Sequence, residues 1–195
     1  EEFPETVLVE IAAFICITPG KVENKENVPK NIHFMALSDD NTRLVVATSN
    51  DILEIWDVET WRLLKRWEPS SDFTELEQVC GLSRDGKIIF SVSDDQLTIW
   101  NGPTAECLRT ITVPGVISKC VMSKDGSKIV VFEENDSARV WDVQTGNILH
   151  DLENHDWDWR FVSFCAFSDD GSQIFAQGIF RDMKIWDSQT GKIPA

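Results

Sequence analysis

The sequence lacks most of what a chain needs to touch a membrane, a nucleic acid or a metal ion. No run approaches the roughly 18 to 20 consecutive apolar residues of a membrane helix. The longest candidate, VLVEIAAFICI at 7–17, carries Glu10 and has no basic flank, so it is a poor signal peptide as well. Basic residues are scarce: 18 Lys and Arg stand against 33 Asp and Glu, a net charge of -15. A surface that acidic repels phosphate backbones and anionic lipid, which argues against nucleic acid and membrane as partners. The five cysteines, Cys16, Cys80, Cys107, Cys120 and Cys165, are an odd set with no C-x-x-C pair. They do not read as a secreted disulfide framework, so a reducing compartment is expected, the cytoplasm with the nucleus as alternative. The single sequon, Asn135-Asp136-Ser137, carries little weight, since such triplets arise by chance.

Catalytic and ligand-binding signatures are missing too. His33, His150 and His155 show neither H-x-x-x-H nor H-E-x-x-H spacing, so no metal is expected, and nothing calls for a cofactor. There is no G-x-x-x-x-G-K-[ST] phosphate loop and no G-x-S-x-G elbow. What remains is an ordinary globular composition, 42% hydrophobic and 26% charged, in 195 residues. That length can bury a substantial core in one domain or two small ones. The chain begins without Met, as expected of a processed product or a piece of something longer.

Four segments repeat: 34–60, 79–104, 119–145 and 164–190. Their tryptophans, Trp56, Trp100, Trp141 and Trp186, are 44, 41 and 45 residues apart, each preceded by Ile or Val and followed by Asp or Asn. Each segment also carries a Ser followed by a turn dipeptide: Asp40-Asn41, Asp85-Gly86, Asp125-Gly126 or Asp170-Gly171. Those dipeptides tolerate positive φ and suit tight hairpins. Short β-rich runs follow, such as RLVVATS and KIIFSVS, with a further run like WRLLKRW or ECLRTIT before the next unit. Four short strands per unit of roughly 40 to 45 residues is the arithmetic of a propeller blade.

The S-x-D-G turn, the [IV]-W-[DN] ending and the Thr-Gly that follows it at 145–146 and 190–191 resemble the WD40-repeat family over about residues 32 to 195. The resemblance implies an all-β propeller of four-stranded antiparallel blades, at about 32–67, 79–112, 116–153 and 161–195. Blade four has little chain left for an outer strand, and the N-terminal strand within 1–18 is expected to complete it; 19–31 reads as a flexible polar loop. The family often ties each blade with an Asp, His, Ser/Thr and Trp set. Only one His matches, His155 in Asn154-His155, where it is expected to bond Asp182, and copies three and four lack an obvious Ser/Thr. The repeats are degenerate.

Propeller rings of this family mostly have seven blades, and blade faces are apolar because each packs on a neighbour. An open arc of four would leave two faces bare. A longer propeller, a second chain completing an eight-bladed ring, or tight closure of the four would each remove them; further blades from the same or another chain are expected.

Several chemical candidates have simpler readings. Cys80, Cys120 and Cys165 share one slot, three residues before the turn Ser, and Met35 fills it in the first copy; a slot shared with Met is a packing position. The pairs Asp39-Asp40 and Asp169-Asp170 sit in hairpin turns, where Asp is favoured for its backbone hydrogen bonds, and do not face one another as glycosidase carboxylates would. The repeat tryptophans belong to strand ends and are structural.

The stretch 153–161, ENHDWDWRF, resists such a reading. It connects the third copy to the fourth on a rim where the resembled family grips peptides and partner domains. Trp157 and Trp159 either seal the seam between blades three and four or form a hot spot with Arg160, tryptophan and arginine being the types most enriched there. Asp156, Trp157, Asp158, Trp159, Arg160 and Arg181 are the candidate partner-binding residues. WDWR at 157–160 is similar to the W-D-x-R motif of WD40 ubiquitin-ligase substrate receptors, but it does not follow a strand-ending Trp, and the four true strand ends lack the Arg.

The expectation is therefore a non-catalytic protein-interaction scaffold or sensing module, with the regulatory part of a larger signalling or assembly protein as its more specific form. Its partner is a peptide segment or domain of basic and apolar character. A hydrolase on a propeller scaffold and a ubiquitin-ligase substrate receptor are the alternatives. A hydrolase would need acids with shifted pKa values converging in the channel.

Overall fold

The computed structural model describes residues 32–48, 52–67, 80–93, 95–134, 137–153, 162–178 and 183–194. These residues are all β and turn, and no helix among them is long and apolar enough to cross a membrane. Fifteen strands fall into four antiparallel meanders. Blade one is β1 (Ile32–Leu37), β2 (Arg43–Thr48), β3 (Leu53–Asp57) and β4 (Arg62–Trp67). Blade two is β5 (Cys80–Leu82), β6 (Ile88–Ser93), β7 (Gln96–Asn101) and β8 (Cys107–Thr112). Blade three is β9 (Ile117–Met122), β10 (Lys128–Glu133), β11 (Ser137–Asp142) and β12 (Ile148–Asp151). Blade four has three strands among the described residues, β13 (Val162–Phe167), β14 (Gln173–Gly178) and β15 (Met183–Asp187). The expected fourth strand from the N-terminal run lies outside the described residues. This is the blade arrangement of a WD40-type β-propeller.

Register explains the repeat. The strand-ending tryptophans sit opposite the second residue of the preceding strand: Leu44↔Trp56, Ile89↔Trp100, Ile129↔Trp141 and Ile174↔Trp186. Side-chain alternation then gives each blade two apolar faces, one bearing the Trp and one not. The Trp-free face of each blade packs on the Trp-bearing face of the next. Val45, Leu53 and Ile55 meet Cys80, Ile89 and Trp100. Phe90, Leu97 and Ile99 meet Cys120, Ile129 and Trp141. Val130, Phe132 and Val140 meet Cys165, Ile174 and Trp186. The shared cysteine slot is a seam position in all three, and Met35 packs in the corresponding place on blade one. At the first seam Trp67 also meets Trp100 edge-on, with ring centroids 5.7 Å apart.

Each turn after the first strand is built by one device. The Ser hydroxyl donates to the Asp two residues on, at 2.6, 2.9, 2.6 and 2.6 Å for Ser38, Ser83, Ser123 and Ser168. The same oxygen accepts the N–H of the next strand's first residue, at 2.9–3.0 Å. The chain then needs a left-handed residue, supplied by Asn41 at φ 57° and by Gly86, Gly126 and Gly171. Turns stack between blades, with Asp39 N–H donating to Arg84 O at 2.8 Å and Arg84 N–H to Lys124 O at 2.7 Å.

Candidate functional site

Asp156, Trp157, Asp158, Trp159, Arg160 and Arg181 lie outside the described residues, as do His155 and Asp182. The structure describes the two roots of the 154–161 connection. On one side β13 opens with Val162, which packs on the seam between blades three and four. On the other, β12 runs into Leu152 and Glu153, and these are clasped to blade four. Leu152 is buried in the cluster with blade-four residues Cys165, Ile174 and Trp186, while its N–H stays within blade three, donating to Ala138 O at 2.8 Å. The Glu153 N–H donates to Gly191 O at 2.8 Å, and its carboxylate accepts the Ile193 N–H at 3.2 Å. The Trp186 indole N–H donates to the Glu153 carbonyl at 2.8 Å. His150 Nε2 lies 2.9 Å from Ser188 O. The fit leaves no room for a side chain at position 191: a Cβ on Gly191 would come 2.3 Å from the Asp151 carbonyl oxygen, and its φ is 71°.

Why Trp186 reaches out of its own blade follows from comparing the four copies. A buried indole N–H needs an acceptor. In blade two Trp100 finds Ser91 Oγ at 2.9 Å on the neighbouring strand. The corresponding residues elsewhere are Val46, Val131 and Ala176, none of which can accept. Blade one turns instead to the residue two before its Trp, with Trp56 donating to Glu54 Oε2 at 3.0 Å. In blades three and four that position is Arg139 or Lys184, a donor only. Trp141 Nε1 is left without a partner, and Trp186 uses the main chain of the preceding connection. So copy one, as well as copies three and four, goes without a Ser/Thr at that position; the buried Thr48 hydroxyl has no partner among the described residues either.

The two ends of the blade series differ. On blade one the Trp-bearing face is buried, with Leu44, Val46, Trp56 and Val58 all between 1% and 5% exposed. On blade four the Trp-free face is open: Phe164 is 56% exposed and Met183 64%, with Phe175 and Ile185 half-buried. The counterparts of Met183 in the other blades, Leu53, Leu97 and Ala138, are buried. Among the described residues, then, the outer face of blade four is exposed and that of blade one is buried. Sequence reasoning did not single out this face; its one signal was Gln177 standing where Ala47, Val92 and Phe132 stand in the other copies.

The carboxylates with shifted pKa values are turn residues. Asp170 is held down to about 2 by the Ser168 hydroxyl first, then by the Ser172 N–H and hydroxyl. Asp57, Asp142 and Asp187 are lowered first by the hydroxyls of Thr60, Thr145 and Thr190. Asp85 is lowered chiefly by the Lys87 ammonium. In Asp40 and Asp125 partial burial pushes upward, but hydrogen bonds from Ser38 and Ser123 and from the following N–H groups outweigh it. Burial drives the Cys80 and Cys120 thiols well above their ordinary value and Cys165 to about 12, as befits packing groups. Among the described residues no group of three or more His, Cys, Asp or Glu side chains converges as metal ligands.

No protein-family model matches the chain. Curated WD-repeat proteins do. It is 26% identical to autophagy-related protein 16 of Arabidopsis thaliana over 125 residues, 64% of this chain and 24% of that protein. It is 23% identical to apoptotic protease-activating factor 1 of Rattus norvegicus over 131 residues, 65% of this chain and 10% of that protein. It is 27% identical to WD repeat-containing protein 3 of Homo sapiens over 74 residues, 38% of this chain and 8% of that protein. The chain thus spans a quarter or less of the length of these relatives.

Proposed function

We propose that this chain, built on WD40-type repeats, works as a non-catalytic protein-interaction scaffold that grips its partner through the 154–161 connection. The observation that carries this reading is the clasp at Glu153. Binding residues are best placed on loops held by a rigid frame, because ordering a loose loop costs entropy at the moment of binding. Here one end is tied to blade four through main chain, carboxylate and indole, and the other enters β13 directly. Between them stand Trp157, Trp159 and Arg160, with Asp156 and Asp158 interleaved. The net charge of -15 suits a partner segment that is basic and apolar. The shifted aspartates among the described residues support a scaffold over a hydrolase: all are lowered and each is engaged by turn hydroxyls, N–H groups or a cation, so none of them is poised as a general acid.

The relatives extend the proposal. A sensing or regulatory role within a larger signalling or assembly protein fits a chain that covers 24% and 10% of the length of two relatives. The exposed face of blade four supports a further blade, from the same or another chain, since a Trp-free face meets a Trp-bearing face at every seam. Cytoplasmic residence, with the nucleus as alternative, belongs to the same reading.

The test is quantitative. Replacing Trp157, Trp159 or Arg160 by Ala should weaken a partner's binding by about 2 kcal/mol or more. A rim change away from the loop, such as Lys87→Ala, should leave it unchanged. Loop variants that bind as tightly as the parent chain would overturn the assignment of the loop.

A further inference from the structure

The outer edge of blade one carries a charge pattern opposite to that of the chain as a whole. β4 reads RLLKRW and contains three cations and no acid. It is the edge strand of its sheet among the described residues. Alternate N–H and C=O groups of an edge strand point away from the sheet and can template another strand. Leu64 and Trp67 face inward onto the seam with blade two. Arg62 and Lys65 are exposed, with Leu63 between them 37% exposed.

Most cations among the described residues hold a carboxylate, carbonyl or hydroxyl; Arg109, Lys119 and Lys128 reach Gln144 O, Ser163 O and Ser188 Oγ. Arg43 pairs with Asp57, Arg84 with Asp39, Lys87 with Asp85, Lys124 with Asp169, and Arg139 with Glu133 and Asp151. Arg66 leans to Glu54 at 3.6 Å. Among the described residues Arg62 and Lys65 have no carboxylate partner. Asp57 stands directly across the ladder from Arg62, but it is held by Arg43 at 2.8 Å and by the Thr60 hydroxyl at 2.7 Å. The residue opposite Lys65 is Ile55. In a chain of -15, where acid is abundant, two cations unpaired among the described residues stand on either side of an exposed leucine on the edge strand of that sheet.

We propose that β4 is a docking edge for an extended acidic–apolar segment of another protein, which adds as a fifth strand to blade one. Main-chain hydrogen bonds along the edge would supply affinity. Arg62 and Lys65 would select the acidic residues of the guest and Leu63 its apolar one. The two surfaces then have opposite tastes: the 154–161 connection suits a basic partner, the blade-one edge an acidic one. The edge proposal does not depend on the loop.

The probe is a fluorescein-labelled peptide of alternating Glu and Val, with an alternating Lys and Val peptide as control. Fluorescence anisotropy should show the acidic peptide binding the full chain in preference to the basic one, with affinity falling as salt rises. Amide exchange at 62–67 should slow on binding. The Arg62→Glu/Lys65→Glu variant should bind the acidic peptide about tenfold more weakly or worse, with an unchanged thermal melt because both side chains are exposed. Arg62→Gln/Lys65→Gln should fall between the two and serves if charge reversal disturbs folding. Absence of acidic-peptide binding, equal binding of both peptides, slowed exchange elsewhere with 62–67 unchanged, or indifference to charge reversal would each overturn the proposal. So would variants that bind normally but aggregate, which would make the two cations guards of the strand edge only.

Discussion

Trp186 and Glu153 stand 33 residues apart in the chain, yet the indole N–H of one donates to the carbonyl of the other at 2.8 Å. The bond joins the last repeat's signature residue to the root of the connection that carries Trp157, Trp159 and Arg160. Trp186→Phe keeps most of the buried ring and removes the donor. It should cost about 2–4 kcal/mol, the lost hydrogen bond together with the space left by the smaller ring. Faster amide exchange at Leu152, Glu153 and Ile193 should accompany the loss. Unchanged exchange at those three amides would show that the clasp holds without the indole.

The orphaned Trp141 indole predicts a gain from a polar substitution in a core. Val131 occupies the place that Ser91 holds beside Trp100, and it is fully buried. Val131→Thr adds a hydroxyl of nearly the same volume where Trp141 Nε1 lacks an acceptor. It should be neutral or stabilising by up to about 1 kcal/mol in chemical denaturation. Val130→Thr, on the opposite face of the same strand, should destabilise by about 1–3 kcal/mol because its hydroxyl meets no such donor. Equal losses for the two would sink this account. In blade two, Ser91→Ala should cost about 1–3 kcal/mol by orphaning Trp100.

These indole contacts mark where the sequence was and was not readable. The Ser-x-Asp-Gly turns were legible because every participant is a near neighbour: Ser168, Asp170 and Ser172 make their bonds within a few residues. The shared cysteine slot was legible from its exchange with Met35. The partners of the tryptophans were not. Glu153 contributes a main-chain carbonyl, which no residue type announces, and nothing in the residue type of Glu54 announces that it is only 6% exposed. The open face of blade four is likewise a property of what stands beside a residue; Met183 would be unremarkable in a buried strand.

The turn aspartates set an acid limit on stability. Their folded-state pKa values lie below the ordinary value of 3.8, down to about 2 for Asp170. The folded chain therefore binds fewer protons than the unfolded chain between those limits, so this contribution is complete above about pH 4 and is lost as the pH falls toward 2. Denaturation midpoints measured across that window should fall with pH, and Asp170→Asn should flatten the fall. A variant whose midpoint drops as steeply as the parent's would show that the Asp170 turn contributes nothing to acid stability.

Thiol reactivity should separate seam from surface. Cys80, Cys120 and Cys165 are buried and held protonated, whereas Cys107 is exposed. A disulfide reagent is attacked by a cysteine sulfur it can reach, with its leaving thiol released, so exposed Cys107 should label within the folded chain while the three seam cysteines wait for unfolding. Mass mapping of a brief labelling reaction checks this. Early modification at Cys120 would mean that the seam between blades two and three opens readily.

The thermal melt of the Trp157→Ala/Trp159→Ala double variant bears most directly on the interaction loop, and it requires no knowledge of the partner. If both rings are presented to a partner, the melting temperature should stay close to that of the parent chain, because an exposed loop contributes few buried contacts. If instead the rings seal the seam between blades three and four, each substitution should cost about 3–5 kcal/mol, as for a buried aromatic. The melting temperature would then fall by about 10 °C or more. A near-native melt is the predicted result; a fall of that size would contradict the hot-spot assignment of Trp157 and Trp159.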